Sequence, residues 1–192
     1  MTKMIAVALA AVVTMACANQ KVPAEMALKG LESAVSAAQP EIQKFAGAQM
    51  AGITDAVAAA RKKFDGGDYA GVIADVQTAT SMVTAAATAA ATAKTALVTE
   101  WGTFAGLPAM VGQVAAKLTE LGAMKRLPAG MDKAKIDGAK ASLDSVNTLW
   151  TAASAAFAQG DLMAAVGKAK EVKPMIEGLR STLGLAGMAA TL

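Results

Sequence analysis

The chain has 192 residues, a formal charge of +3, and is 55% hydrophobic but only 4% aromatic. It carries one cysteine and no histidine, which excludes disulfide scaffolding, imidazole metal sites, haem ligation through histidine or a cysteine pair, and Ser-His or Cys-His catalytic pairs. Charges this evenly balanced lack the concentrated basic face that binds nucleic acid.

Alanine dominates the sequence, and alanine is the strongest helix former. Alternating β-branched and aromatic strand patterns bounded by turn residues are missing. The expected class is therefore all-α: an antiparallel helical bundle of about five to six helices built from a duplicated long helical hairpin.

Taken in chain order, residues 1–16 read as a secretory signal. Lys3 gives the positive start, Met4 to Val13 the apolar run, and small residues follow. A membrane-crossing helix needs about 20 apolar residues, and this run ends soon after, at Asn19, Gln20 and Lys21. The letters "TMAC" resemble the lipobox of bacterial lipoproteins, in which a small residue precedes a cysteine that is acylated and becomes the first residue after cleavage. The resemblance covers residues 1–17 and implies cleavage after Ala16 and a lipid on Cys17. Thr14 and Met15 stand where leucine and then alanine or serine are usual. A second reading stays open, because Ala16-Cys17-Ala18 is also an A-x-A site for ordinary cleavage before Asn19, which discards the cysteine and releases a soluble protein.

Residues 17–23 are expected to be the lipidated cysteine and a linker, and 24–192 a single helical domain. A short first helix spans 24–38, and Pro40 suits the first turn of the next one. Ala46, Met50, Ile53, Val57, Ala60 and Phe64 then follow helical spacing. "FDGGDYAGVIADV" from Phe64 is echoed by "FAQGDLMAAVGKA" from Phe157, an offset of 93 residues. At the same offset Ala139, Leu143, Val146, Trp150, Ala153 and Phe157 repeat the stripe. Beyond the turn, Val72, Val76, Ala79 and Val83 match Ala165, Ala169, Val172 and Ile176. The pseudo-repeats run over about 40–100 and 133–185. At each turn Gly67 or Gly160 suits the left-handed conformation that closes a helix, and Asp68 or Asp161 suits the cap of the next. The aromatic followed by Gly-Asp and alanines looks a little like tetratricopeptide repeats, but those recur every 34 residues.

The second arm of the first copy carries Thr80, Thr84, Thr88, Thr92, Thr95 and Thr99 on one face, a candidate interaction face about 28 Å long at 1.5 Å per residue. Regularly spaced threonines on an alanine helix are similar to the helical antifreeze proteins; the plain alternative is a polar stripe whose hydroxyls bond back to carbonyls one turn earlier. Trp101 to Pro108 breaks this helix, and Val111, Val114, Leu118 and Leu121 mark a shorter amphipathic one. "MKRLPAGMDK" is a loop from Met124 to Lys133, with Asp132 as a cap. Lys117, Lys125, Arg126, Lys133 and Lys135 make its surroundings basic. Pro174 predicts a kink in the last helix, and the uncharged tail "LGLAGMAATL" is expected to fray or pack weakly.

These features lead to a non-catalytic reading. Asp55, Asp65, Asp68, Asp75, Glu100 and Glu120 show no clustered spacing, "FDGGDYAG" lacks the lysine and serine or threonine of a P-loop, and the scattered methionines suit core filling. The expectation is an exported binding or scaffolding module of the bacterial cell envelope. It is held on the periplasmic side by its lipid, the outer membrane being favoured, with an envelope protein as candidate partner. No nucleic acid, metal or cofactor is expected. The alternative is a secreted or soluble periplasmic carrier of a small apolar ligand or lipid.

Overall fold

A computed structural model describes residues 20–187. The expected signal, the cleavage position Ala16, the lipidation position Cys17 and residues 188–192 lie outside them. Every regular element described is helical: α1 (Lys21–Ala46), a 3-10 turn (Gly47–Gln49), α2 (Met50–Asp65), α3 (Tyr69–Gly102), α4 (Leu107–Ala123), α5 (Lys133–Ala158) and α6 (Leu162–Thr182). The protein is thus all-α and bundled, the class that its alanine content dictates. The chain divides into two compact units at Ala90 and Ala91, a point inside α3.

In the first unit, α1, α2 and the first part of α3 enclose Leu28, Leu31, Ile42, Ile53, Val72, Val76 and Val83 among smaller alanines. Burying a side chain such as Ile42 or Ile53, each 1% exposed, contributes about 1.5–3 kcal/mol. Alanine and glycine let these helices approach closely: a Cβ at Gly52 of α2 would lie 3.2 Å from the Met82 Cε of α3. The pairing is antiparallel. Arg61 Nε lies 2.6 Å from Glu32 Oε1 between α1 and α2, and Lys63 Nζ lies 2.8 Å from Asp75 Oδ1 across the turn between α2 and α3.

Two expectations about α1 are corrected. The helix begins at Lys21, so Lys21 to Pro23 belong to its first turn rather than to a linker. Proline is tolerated there because first-turn N–H groups have no intrahelical partner. Pro40 does not open a new helix but lies inside α1. Ser36, whose carbonyl loses its partner at Pro40, is exposed, so water can satisfy it. The chain breaks instead at Ala46, whose φ of −143° leaves the helical range.

In the second unit, α4, α5 and α6 pack around Val114, Leu118, Leu121, Ile136, Leu143, Val146, Val172 and Ile176. Leu97 and Trp101, from the end of α3, pack against the same cluster. Pro108 sits in the first turn of α4, and Asp132 caps α5 by accepting from the Lys135 N–H at 2.7 Å. Pro174 lies within α6. The tail expectation is corrected for residues 183–187. Leu183 and Leu185 are 4% and 8% exposed in the core, because Gly184 takes φ 72°. This lets the Leu185 N–H reach the Arg180 carbonyl at 2.7 Å, a left-handed helix closure that folds an apolar residue back onto the helix.

The two hairpin turns repeat bond for bond at the offset of 93. Gly67 has φ 79° and Gly160 φ 75°. The Gly67 N–H donates to the Phe64 carbonyl at 3.1 Å and Gly160 to Phe157 at 2.9 Å; Asp68 donates to Lys63 at 3.0 Å and Asp161 to Ala156 at 2.8 Å. Each aspartate then accepts from the third residue onward, Asp68 from Gly71 at 2.9 Å and Asp161 from Ala164 at 3.3 Å. One glycine closes a helix while its neighbour opens the next. The likeness extends further than the hairpin. Ala24, Leu28 and Leu31 of α1 and Val114, Leu118 and Leu121 of α4 are buried at the same spacing, so each unit contains a three-helix pattern.

Candidate functional site

The candidate interaction face lies on α3 as the threonine spacing requires. Thr84, Thr88, Thr92, Thr95 and Thr99 are exposed, and Thr80 is half-buried. The hydroxyls of Thr80, Thr84, Thr88 and Thr95 donate to the carbonyls four residues earlier at 2.7 to 2.9 Å. Their hydroxyl donors are therefore used within the helix. Lys94 is the one charged residue between Asp75 and Glu100, so this stretch is an almost uncharged alanine-threonine surface.

Asp68 and Asp161, together with Gly67 and Gly160, are occupied in the turns and caps described above. The basic residues around the α4–α5 loop are in part engaged: Lys117 Nζ lies 2.9 Å from Glu120 Oε2, and Lys135 Nζ donates to the Gly130 carbonyl at 2.6 Å. Surface ion pairs shift several titrating groups. Glu25 is held below the usual carboxylate range by its hydrogen bond and charge contact with Lys29, and Lys29 is raised by the same pair. Hydrogen bonding to Glu32 raises Arg61, and hydrogen bonding to Asp75 raises Lys63. Among the described residues no group of three histidine, cysteine or acidic side chains stands close enough to hold a metal ion.

Shallow grooves open between helices of each unit, among them one of about 450 Å³ that runs between α1 and α2 and includes Val35, Gln39, Met50, Thr54, Val57 and Arg61. A second of about 390 Å³ lies between α4 and α5 beside Leu118, Lys140 and Leu143, and a third of about 300 Å³ lies between α2 and α3 beside Gly52 and Met82. Met50, Met82, Met110, Met131 and Met175 pack partly buried against the two cores, the gap-filling use of a flexible thioether.

Two features have little trace in the letters. Trp101 lies between Trp150 and Phe157 of α5, at 5.3 Å and 3° to the first ring and 4.6 Å and 11° to the second. Beside it Lys170 Nζ of α6 lies 2.7 Å from Glu100 Oε1. Contacts between residues this distant in sequence have no local signal. Val22 and Met26 of α1 stand 53% and 63% exposed. Their spacing of four puts them on one face only because α1 already begins at Lys21.

No family model, curated protein or solved structure matches this chain. Among the described residues no helix is long and apolar enough to cross a membrane.

Proposed function

We propose that the protein is an exported component of the bacterial cell envelope, anchored by acyl chains on Cys17 and acting as a non-catalytic binding or scaffolding module on the periplasmic side, at the outer membrane. The observation that carries this reading is the single cysteine placed directly after Ala16 and the apolar run from Met4 to Val13. Support for binding rather than catalysis comes from the surface chemistry. The aspartates of the repeated turns are committed to capping, and α3 offers an alanine-threonine face, with Lys94 the one charge along that stretch, on which an envelope protein can pack with little desolvation of charge.

Intact-mass measurement of protein purified from its native membrane tests the anchor. The expected species starts at Cys17 and carries a diacylglycerol; a species starting at Asn19 overturns it. A photocrosslinker at Thr88, with one at Ser36 as control, tests the face: the proposal expects an envelope protein captured from Thr88 and not from Ser36.

The alternative, a soluble carrier of a small apolar ligand, is favoured by one observation. The groove between α1 and α2 is about 450 Å³, within the size range of small-molecule sites. Native mass spectrometry separates the two readings, because a carrier retains a co-purifying ligand and a scaffold does not.

A further inference from the structure

We propose that the first two turns of α1 form a lipid-docking face, with Val22 and Met26 seated among the acyl chains and headgroups of the membrane that holds Cys17. The inference rests on the proposed acylation of Cys17 and adds to it a defined contact between the folded protein and the bilayer.

Five large apolar side chains stand exposed among the described residues: Val22, Met26, Val98, Met124 and Met163. The last three lie singly on α3, at the end of α4 and at the start of α6, and single exposed apolar residues are ordinary on a protein surface. Val22 and Met26 differ because they are one helical turn apart, on the same face of α1. They are also the two nearest the anchor. Helix α1 begins at Lys21, and the four steps from Cys17 to Lys21 span at most about 14 Å even when fully extended. An acylated Cys17 therefore holds the start of α1 within roughly one or two Debye lengths of the headgroups.

Charge follows the same direction. Lys21 precedes Val22, and Lys29 continues the Val22–Met26 face one turn further along, where it is exposed and lies 2.7 Å from Glu25. An apolar pair near the tether followed by a cation on a long aliphatic stem suits the boundary between acyl chains and anionic headgroups, because the stem lies along apolar surface while the ammonium stays in water. The proposed diacylglycerol on Cys17 supplies two acyl chains, which is sufficient for stable anchoring; a further contact of this kind fixes the orientation of the first unit relative to the bilayer.

The test uses the full-length acylated protein in vesicles of phosphatidylethanolamine and phosphatidylglycerol. Acylation consumes the only native thiol, so Val22→Cys, Met26→Cys and the control Ser36→Cys each present one site for an environment-sensitive dye. The proposal expects blue-shifted emission at 22 and 26, with several-fold stronger quenching there by brominated lipids than at 36. Acylated protein whose dyes at 22 and 26 match the one at 36 overturns the docking face and leaves the anchor standing. Blue-shifted dyes that brominated lipids fail to quench report a protein neighbour and overturn it as well. A chain without the acyl mass overturns both the anchor and the inference built on it.

Discussion

Trp101 and Trp150 stack with ring centroids 5.3 Å apart and planes 3° from parallel, and this pair ties the end of α3 to the middle of α5 within the second unit. Trp101→Ala removes a half-buried indole from between two rings and is expected to cost about 2–4 kcal/mol. Trp101→Phe, which keeps a ring in the stack, costs about 1 kcal/mol. Urea unfolding gives the magnitudes. Near-ultraviolet circular dichroism checks the cause, since the signal of the coupled indoles vanishes in Trp101→Phe and Trp150→Phe alike.

The repeated turns predict equal penalties at equivalent positions. Gly67→Ala and Gly160→Ala each force a Cβ into left-handed backbone with no heavy atom within 4 Å to add a clash, so each is expected to cost about 1–2 kcal/mol. A value several times larger at one turn than at the other breaks the proposed equivalence.

Gly71 and Ala164 form a comparison already present in the chain. A Cβ at Gly71 would collide with the Asp68 carboxylate, whereas at the matching position alanine is present and the cap bond is 3.3 Å rather than 2.9 Å. Gly71→Ala is expected to loosen the Asp68 cap to the geometry of its counterpart. The gain in helix propensity, about 1 kcal/mol, offsets that loss, so the net change in the denaturation midpoint is small. Asp68→Ala alone costs about 1 kcal/mol.

Removing the two interior prolines should stabilise the protein. Pro40→Ala restores a backbone donor in α1 and Pro174→Ala does so in α6, each by about 1–3 kcal/mol. Thermal unfolding checks the direction, and a lowered melting temperature for either variant shows that the proline is shaping its helix for packing.

Stability should be flat across neutral pH, because the chain has no histidine. Glu25 is lowered in the folded state by Lys29, so its contribution is complete above the ordinary carboxylate range and is lost as pH falls through the lowered value. Lys63 is raised by Asp75; its contribution is complete below the ordinary lysine range and is lost as pH rises through the raised value. Both side chains are about two-fifths exposed, so water screens each pair and melting temperatures should decline only gently at the acid and alkaline ends. A step near pH 6 to 7 contradicts this account.

How much was legible follows from the range of the forces involved. Helical class, the repeated hairpin stripes, the Gly-Asp turns at residues 67–68 and 160–161, and the threonine row of α3 are all local patterns, with periods of three and four or turn chemistry carried by single residues. These are readable in the letters, because propensity and capping act within one turn of helix. The tertiary structure alone decided that Pro40 continues α1, since the cost of a missing hydrogen bond depends on whether water reaches the Ser36 carbonyl. It alone decided that Leu183 and Leu185 are buried, that Trp101 meets Trp150 and Phe157, and that Val22 and Met26 stay exposed. Burial is a property of what the rest of the chain brings alongside a residue, and no local pattern records it.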